Sequence, residues 1–432
     1  PAILSSERIG TPRLKFMLAA LASLDTDLRQ MGRALLVRHG EPLLALRDVV
    51  KQTGAQALFF NADYTPYARM RDDAIRDALG IAVESHHDRL LAVPGEIERD
   101  KGQPFVVYSP FKRRWRERIQ PAPLADYALD ASHFFPLDNL RNDGVPLLTD
   151  LGHADTIDVP AASEHEAQRV LQHFVDQRLH VYKQERDRIG NAQDEPPTRT
   201  SFLSPYIRFG MLSPRQIMQT AWISQEPESK DEQRSVDHFV DEMIWHEFYT
   251  HILWYFPHVT TRNFNSKYDS VPWRDAPDDL QAWKDGLTGY PIVDAAMRQL
   301  TGSGWMHNRA RMIVASFLTK DLLIDWREGE KFFMQWLIDG DLAANNGGWQ
   351  WAAGTGTDAQ PYFRIFNPIL QSKKFDPDGS FIRHWLPQLR DVPDRYIHEP
   401  WTMPQPPADY PPPIVDHAQA REAALAAYGE TD

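Results

Sequence analysis

The apolar residues of this chain change their spacing about a third of the way along it, and that change limits the folds available. In the first third, short apolar runs at 34–37, 57–60 and 105–108 are typical of buried strands. Segments with helical spacing lie between them, at 41–52 and 67–79. Alternation of strands and helices predicts a parallel sheet covered on both faces.

Beyond residue 163 nearly every apolar segment has helical spacing. The predicted helices lie at 164–187, 214–224, 234–255, 292–301, 305–323, 328–338 and 342–353, and a proline-rich segment at 404–413 is expected to be extended. The patterns divide the chain into an α/β, Rossmann-like N-terminal domain at 1–115, a linker at 116–163 rich in proline and aspartate, and an all-α C-terminal domain at 164–432.

Composition excludes several classes of protein. The 432 residues contain no cysteine, which excludes disulfides and thiolate metal sites. No apolar run reaches the roughly 18 residues of a membrane span, and no signal-peptide pattern opens the sequence. The net charge of −13 argues against a generally basic surface but allows a local basic groove. We therefore expect a soluble, cytoplasmic protein that is not bound to a membrane.

Two short motifs carry little chemistry on their own. His246-Glu247 followed by His251 has one residue too many for a zincin helix, so no metal site is predicted. Thr200, Ser201 and Ser204 precede or begin a predicted helix, where hydroxyls and free amides could hold phosphates. A cluster of this kind is more often only a helix cap.

Several helices combine polar and aromatic residues on one face. On the 305–323 helix, Asn308 and Met312 share a face with Trp305, and Arg311 lies on the neighbouring stripe. Glu242 precedes Trp245 by three residues, so these two also share a face. Such faces could line a cofactor site or a substrate cavity, and helix packing with scattered polar contacts is the alternative.

The segment 339–351 is the densest in unusual residues. Asn345 and Trp349 are four residues apart and aligned, whereas Trp351 points roughly the other way. Gly347 and Gly348 each cost a helix about 1 kcal/mol relative to alanine. Either a flat partner lies against the backbone there, or the helix packs closely on a neighbour.

Long motifs resemble the photolyase/cryptochrome family. They are Thr-Gly-Tyr-Pro-Ile-Val-Asp at 288–294, Trp-Met-His-Asn-Arg-Ala-Arg-Met at 305–312, Asp-Gly-Asp-Leu-Ala-Ala-Asn-Asn-Gly-Gly-Trp-Gln-Trp at 339–351 and Tyr-Phe-Arg-Ile-Phe-Asn-Pro at 362–368. The segment 201–210 resembles the family's flavin-phosphate segment. The likeness covers nearly the whole chain and implies an N-terminal α/β antenna domain with a helical FAD-binding domain after it.

Three positions separate branches of the family. Six-four photolyases place histidines where Asn308 and Met312 stand, and plant cryptochromes typically place aspartate where this chain has Asn345. A neutral amide there avoids repelling an anionic reduced flavin. The resemblance is therefore greatest to class I cyclobutane pyrimidine dimer photolyases, and a cryptochrome-like photoreceptor without repair activity is the alternative.

The resemblance implies light-driven repair, in which reduced, anionic FAD passes an electron to a flipped-out dimer and recovers it after the ring splits. Asn345 would lie at flavin N5 beside an Arg311–Asp339 pair. The implied cofactor contacts are Tyr182, Thr200, Ser201, Phe202, Leu203, Ser204, Glu242, Asn308, Arg311, Asp339, Gly340, Asp341 and Asn345.

The resemblance also implies roles for residues that contact the lesion or carry electrons. Glu242 would hydrogen-bond the dimer, and Asn308 would touch both dimer and flavin. The implied DNA contacts are Arg186, Trp245, Arg309, Met312, Trp351 and Arg364, with the two tryptophans clamping the bases. An electron path would run from Trp349 through Trp326 to Trp273.

Two departures from the family bear on the antenna. Relatives begin with a strand carrying Trp-Phe-Arg-Arg-Asp-Leu-Arg, a unit expected to be absent or remodelled here. The folate-type pattern has Asn-Glu before an arginine, where this chain reads Tyr67-Ala68-Arg69. A deazaflavin or a second flavin is therefore expected rather than folate, or no antenna at all. The expected partner is UV-damaged DNA, bound by a monomer without a metal.

Overall fold

A small parallel sheet lies in the N-terminal third of the computed structural model, which describes residues 6–119, 124, 130–137, 139–190 and 199–429. Strands β1 (Ala57–Asn61) and β2 (Ala82–His86) pair in parallel, with Ala57 opposite Ala82. A helix joins them, as a parallel pair requires. Strands β3 (Glu98–Arg99) and β4 (Gln103–Pro104) form a short antiparallel pair. The predicted strand at 57–60 and the parallel pairing are confirmed.

Helices make up most of the described chain. Those of the N-terminal third are α1 (Thr11–Gln30), α2 (Pro42–Thr53), α3 (Pro66–Ala78) and α4 (Tyr108–Arg118). The later ones are α5 (Glu164–Gln177), α6 (Tyr182–Glu185), α7 (Ser204–Arg208), α8 (Pro214–Met218), α9 (Lys230–Tyr255), α10 (Pro277–Asp285), α11 (Pro291–Ser303), α12 (Asn308–Ser316), α13 (Trp326–Trp336), α14 (Leu342–Ala353), α15 (Pro368–Phe375), α16 (Ser380–Trp385) and α17 (His417–Gly429).

Two predicted strands are wrong. The run at 34–37 is extended but pairs with a loop, since Val37 N–H donates to Asn142 Oδ1 at 3.0 Å and Val37 O accepts from Asp143 N at 2.9 Å. The run at 105–108 ends in a helix instead, because Tyr108 is the first residue of α4. Apolar runs this short do not distinguish a strand from the entry of a buried helix.

Two predicted helices are interrupted. The 164–187 helix breaks at Arg178, where φ is −135°, and resumes as a 3₁₀ turn at Leu179–Val181 before α6. The 305–323 helix starts only at Asn308, because His307 caps it by accepting Arg309 N–H on Nδ1 at 3.0 Å. It ends in a π-helical turn at Phe317–Asp321. Trp305 therefore does not share a helical face with Asn308 and Met312.

The N-terminal third and the helical region share a hydrophobic core. Phe111 and Trp115 of α4 pack in the same buried cluster as Phe248 of α9. The carboxylate of Glu247 accepts hydrogen bonds from the N–H groups of Leu91, at 2.5 Å, and Trp115, at 2.5 Å. Helix α4 crosses the predicted boundary at 115, and part of the predicted linker lies outside the described residues. The domain limits 1–115, 116–163 and 164–432 stay predictions.

Candidate functional site

A cavity of about 600 Å³ opens among α9, α12 and α14, within the size range of ligand sites. The turn that follows α13 forms its floor. Its lining residues are Arg186, Asp187, Ser204, His238, Glu242, Trp245, His246, Tyr249, Asn308, Arg309, Arg311, Met312, Ala315, Phe333, Leu337, Asp339, Asp341, Ala344, Asn345, Gly348, Trp349 and Trp351. Thirteen of the predicted site residues are therefore brought together on one surface.

The carboxylate of Asp339 lies between a hydroxyl and a guanidinium. Its Oδ2 accepts from Ser204 Oγ at 2.6 Å and from Arg311 Nη2 at 2.8 Å. Arg311 also donates from Nε to Met306 O at 2.8 Å, which fixes the guanidinium in place. Oδ1 of Asp339 is buried and has no hydrogen-bond partner among the described residues. The two residues predicted as a charged pair are thus in contact, with one acceptor atom left over.

Two arginines hold the backbone next to Asp339. The carbonyl oxygen of Gly340 accepts from Arg13 Nη1 at 3.2 Å and from Arg208 Nε at 2.9 Å. Arg13 is buried in α1, and burial, reinforced by the neighbouring Arg208, lowers its pKa to about 10. Gly340 is not one of the residues that line the cavity. Arg13 approaches it so closely that a Cβ at this position would lie 2.1 Å from Arg13 Nη1. Gly340 therefore contributes to the site by accepting hydrogen bonds from these two guanidinium groups.

Asp341 begins α14 and joins it to the N-terminal third. Its Oδ1 accepts from Ala344 N–H at 3.0 Å, as a helix cap does. Its Oδ2 pairs with Arg89 Nη2 at 2.9 Å, and Arg89 also pairs with Asp63 at 2.9 Å. Burial alone would raise the pKa of Asp341, but the positive charge of Arg89, with smaller contributions from His246 and Arg208, lowers it overall. The carboxylate is therefore ionised at neutral pH.

Helix α14 presents its amide and one glycine to the cavity. Asn345 Nδ2 donates to Glu330 O at 2.9 Å, which orients the amide. A Cβ on Gly348 would meet no atom of the described residues within 4 Å, whereas one on Gly347 would lie 2.1 Å from the Tyr249 ring. Close helix packing is therefore confirmed at Gly347, while a flat partner beside Gly348 stays a prediction. Gly347 allows close helix packing, and Gly348 leaves the cavity wall open.

The opposite wall carries Glu242, Asn308 and Met312. Glu242 Oε1 is in close contact with Arg186 Nη1, and Arg186 Nη1 lies 3.2 Å from His238 Nε2. Burial, reinforced by Arg186, lowers the pKa of His238. The residue predicted to bind the dimer and one predicted to contact phosphate are thus partners of each other. Because Glu242 keeps about a third of its side chain exposed, it can still accept from a bound group.

Arg309 and Trp351 complete this wall. Arg309 Nη2 donates to Asp187 Oδ1 at 3.0 Å, and its guanidinium lies 4.5 Å from the centre of the Phe375 ring. Trp351 is half-buried and faces the cavity from α14. The wall is therefore a mixture of aromatic faces and guanidinium groups, which suits a flat, polar ligand.

Of the three tryptophans predicted as an electron path, Trp349 and Trp326 are buried and Trp273 is half-buried. Trp349 lines the cavity and packs edge-on against Phe333, with ring centres 4.9 Å apart. Trp326 is buried and donates from Nε1 to Asn263 Oδ1 at 2.8 Å. Trp273 is half-buried and packs against the same core cluster. A Cβ on Gly329, one turn after Trp326, would lie 2.1 Å from the Trp349 ring, so α13 and Trp349 are in direct contact.

Several predicted site residues lie away from the cavity wall. Tyr182 is buried against Phe174, with ring centres 5.6 Å apart. Phe202 adopts φ +54° and packs edge-on against Trp305. Arg364 is exposed in the segment after α14. The remaining ones, which surround the start of α7 or lie within the aromatic path, are Thr200, Ser201, Leu203, Trp273 and Trp326.

Sequence analysis missed several wall residues, notably His238, His246, Tyr249 and Phe333. His246 and Tyr249 follow Glu242 by four and seven residues, so helical spacing from Glu242 and Trp245 would have found them. His246 Nδ1 is buried without a hydrogen-bond partner in the described protein. No local pattern marks Phe333, which reaches the cavity only because α13 packs on α14.

The histidine motif of α9 is structural. Glu247 accepts from Leu91, Ala92 and Trp115, and His251 Nε2 lies 2.9 Å from Ala92 O. Across the described residues, no three histidine, aspartate or glutamate side chains are grouped as metal ligands. The same part of the chain contains no helix long and apolar enough to cross a membrane.

The cavity wall fits a large ligand with both donors and acceptors. Besides Asp339 Oδ1 and His246 Nδ1, three further lining residues, Trp349, Arg186 and Arg309, each have a buried nitrogen without a hydrogen-bond partner among the described residues. Buried polar atoms are rarely left in this state. Indole, amide and carboxylate groups beside an open backbone at Gly348 match a flat heterocycle such as isoalloxazine.

Comparisons with known proteins agree with this geometry. A family model described as DNA photolyase matches residues 2–128, and one described as FAD binding domain of DNA photolyase matches residues 239–430. The chain is 43% identical to the deoxyribodipyrimidine photo-lyase of Halobacterium salinarum, over 96% of this chain and 88% of that one. The chain belongs to the DNA photolyase family. The predictions of family, fold class and an FAD-binding domain are confirmed.

Solved structures of the family share the fold. A bacterial class III photolyase from Agrobacterium tumefaciens superposes with a TM-score of 0.87 at 37% identity, covering 98% of this chain and 89% of that one. A cryptochrome from Synechocystis superposes with a TM-score of 0.85 at 28% identity, covering 97% and 88%. Fold alone therefore does not separate repair from signalling, whereas the names of the curated relatives favour photolyase.

Proposed function

We propose that this photolyase uses blue light to split cyclobutane pyrimidine dimers in UV-damaged DNA, with FAD as its cofactor. One observation carries the proposal. The Arg311–Asp339 pair and Asn345 meet Glu242, Asn308 and two tryptophans around a single cavity. The first set fits a flavin, and the second fits a pair of stacked, hydrogen-bonding bases.

The chemistry that FAD supplies when bound is a light-driven transfer of one electron to the dimer and back. The chain's residues position and tune that chemistry. Arg311 offers positive charge near the heterocycle, and Asn345 offers a neutral amide where a carboxylate would repel an anionic reduced flavin. Asp339, Asp341 and Ser204 provide acceptors and a hydroxyl for ring or ribose groups. Tyr182 and the 200–204 segment are proposed to hold the remainder of the cofactor.

The lesion side selects and immobilises the dimer. Trp245 and Trp351 supply flat surfaces for bases that have left the duplex, and stacking on an aromatic ring is worth about 1–3 kcal/mol per base. Glu242 accepts a hydrogen bond from a base, while Asn308 and Met312 close the space toward the flavin. Arg186, Arg309 and Arg364 neutralise phosphates around the entrance. A dimer that is already poorly stacked costs less to flip.

Further parts of the proposal concern the supply of electrons, the antenna chromophore, the cellular location and the oligomeric state. Electrons from an external reductant would reach the flavin through Trp273, Trp326 and Trp349. At the position of the folate pattern, the Arg69 guanidinium lies 3.7 Å from the centre of the Trp254 ring and donates to Trp254 O. Deazaflavin or a second flavin stays the preferred antenna over folate. We place the protein in the cytoplasm as a monomer.

The direct test illuminates the chemically reduced holoprotein with an oligonucleotide that contains one thymine dimer and follows the recovery of thymine absorbance. Recovery is expected under blue light and not in the dark. Trp245→Ala is expected to weaken binding of that oligonucleotide while leaving flavin content unchanged. A reduced, flavin-loaded protein that binds the oligonucleotide but restores no thymine under blue light would overturn repair in favour of a photoreceptor.

A further inference from the structure

A tyrosine from the N-terminal third lies directly behind one of the two tryptophans of the lesion wall. The rings of Tyr108 and Trp245 are stacked, with centres 3.6 Å apart and planes at 8°. Trp245 lines the cavity, but Tyr108 is not among the residues that line it. Tyr108 therefore stacks on one face of the indole without lining the cavity itself.

Tyr108 is itself held firmly at the start of α4. Its hydroxyl donates to Asp241 O at 2.8 Å, one residue before Glu242. Lys112, one turn later on α4, pairs with the Asp241 carboxylate at 3.0 Å and lies 5.7 Å from the centre of the Tyr108 ring. The ring is thus attached to the same turn of α9 that carries the lesion wall.

The same N-terminal segment also contacts the loop that carries Arg364. The backbone N–H of Tyr108 donates to Asp358 Oδ2 at 3.0 Å, and Thr357 Oγ1 donates to Val106 O at 2.6 Å. Asp358 adopts φ +44°, a region that aspartate enters more readily than most residues. Two parts of the proposed substrate surface, Trp245 and the 357–364 loop, are therefore tied to one short segment.

We propose that Tyr108 is a positioning residue for substrate, which holds the Trp245 indole in the plane that a flipped base must meet. This inference rests on the proposed repair function and deepens it. An indole that could rotate would lose that freedom on binding, and the loss would reduce affinity. With Tyr108 stacked behind it, the ring is already oriented, and its polarised face remains available to the base. The N-terminal third thereby contributes to lesion recognition without touching the lesion.

The test compares Tyr108→Ala, Tyr108→Leu and Tyr108→Phe as flavin-loaded proteins. Tyr108→Ala and Tyr108→Leu are expected to bind dimer-containing DNA roughly three- to tenfold more weakly, in line with the loss of an aromatic pair. Tyr108→Phe keeps the ring and is expected to lie close to wild type. At saturating DNA, the repair yield per absorbed photon should be unchanged, because the flavin and its neighbours are untouched. If the alanine variant does not fold, the leucine variant is judged by the same criterion.

Two controls separate positioning from general stability. Tyr255→Ala removes another tyrosine that joins α9 to the N-terminal third, through its hydroxyl and Glu98 Oε1 at 2.6 Å, without contacting Trp245. It should leave dimer affinity unchanged. In a Trp245→Ala background, Tyr108→Ala should cause no further loss. Equal losses for Tyr108→Ala and Tyr255→Ala, or full additivity with Trp245→Ala, would overturn the proposal. Absence of repair by wild type would refute the proposed function instead.

Discussion

The wall that faces the proposed flavin and the wall that faces the proposed lesion both contain ion pairs, but the carboxylates of the flavin wall are more deeply buried. On the flavin side, Asp339 and Asp341 are buried or half-buried and paired with Arg311 and Arg89. On the lesion side, aromatic rings stack, and the carboxylates that pair with Arg186 and Arg309 keep about a third or more of their surface exposed. A cofactor that stays bound tolerates a closed, charged site, whereas a substrate that must enter and leave requires an accessible one.

The largest effect is expected when the charged wall loses a carboxylate. Asp341→Ala removes both the cap of α14 and the partner of Arg89, leaving a guanidinium that is largely buried with Asp63 alone. The free energy of unfolding should fall by about 2–4 kcal/mol, and the purified protein should lose most of its flavin. Urea unfolding and the flavin-to-protein absorbance ratio measure both effects.

Asp341→Asn is the matched control, since its amide oxygen can still cap α14 while the charge is lost. It should destabilise the protein less than Asp341→Ala. If the alanine variant kept its flavin and its stability, the buried carboxylates would not be what holds the flavin wall in place.

The carboxylate of Glu247, on the far side of α9, sharpens the comparison because it accepts hydrogen bonds but has no ion-pair partner within the described part of the chain. Burial raises the pKa of Glu247 to about 7, against the hydrogen bonds from Leu91 and Trp115 that oppose the shift. A carboxyl group whose pKa is higher in the folded than in the unfolded chain stabilises the folded state most at low pH. The contribution is lost as pH rises from about 4.5 through 7.

Glu247→Gln should lower the free energy of unfolding by about 1–3 kcal/mol near pH 5. The amide nitrogen of glutamine cannot accept a hydrogen bond, so it would face an N–H donor that the carboxyl oxygen of Glu247 satisfies. The difference in the free energy of unfolding between wild type and Glu247→Gln should decrease by at most about 1.4 kcal/mol for each pH unit up to pH 7. Urea unfolding of both proteins at pH 5, 6, 7 and 8 measures this. An advantage that widens with pH would mean that the ionised carboxylate is the favoured form, as it is for Asp341.

How much the sequence could predict differs between the two walls. The lesion wall follows local periodicity, since Glu242, Trp245, His246 and Tyr249 recur at helical spacing on α9. The charged wall does not, because its partners come from distant segments. Gly340 accepts from Arg13, which is 327 residues away. Strand β1 and helices such as α9 and α14 followed from apolar spacing, whereas β2 and α17 were not predicted. An N-cap that sets where a helix begins, as His307 does for α12, depends on side-chain geometry that spacing does not encode.

Adjacent glycines on α14 give a pair of opposite predictions. Gly347→Ala would place a methyl 2.1 Å from the Tyr249 ring and should destabilise by about 1–3 kcal/mol. Gly348→Ala meets no protein atom and should stabilise the flavin-free protein by roughly 0.5–1 kcal/mol through helix propensity. The methyl of Gly348→Ala would project into the cavity, so flavin affinity should fall. Unfolding of the flavin-free forms and flavin titration measure the two effects, and equal loss of stability in both variants would contradict the open wall at Gly348.

The smallest effect on repair is expected at the outer end of the aromatic path. Trp273 is half-buried, lies outside the cavity lining and packs edge-on against Tyr428 with ring centres 6.0 Å apart. Trp273→Phe keeps an aromatic ring there but removes the indole. Photoreduction of the oxidised flavin by an external reductant should slow strongly, because the route to solvent is interrupted. Repair by chemically reduced protein should be nearly unchanged, because that reaction begins and ends at the cavity.

Laser-flash absorption of the flavin and single-turnover repair measure the two reactions separately. Loss of repair in the reduced variant would mean that Trp273 belongs to the substrate site. The electron path would then not be separate from the two walls of the cavity.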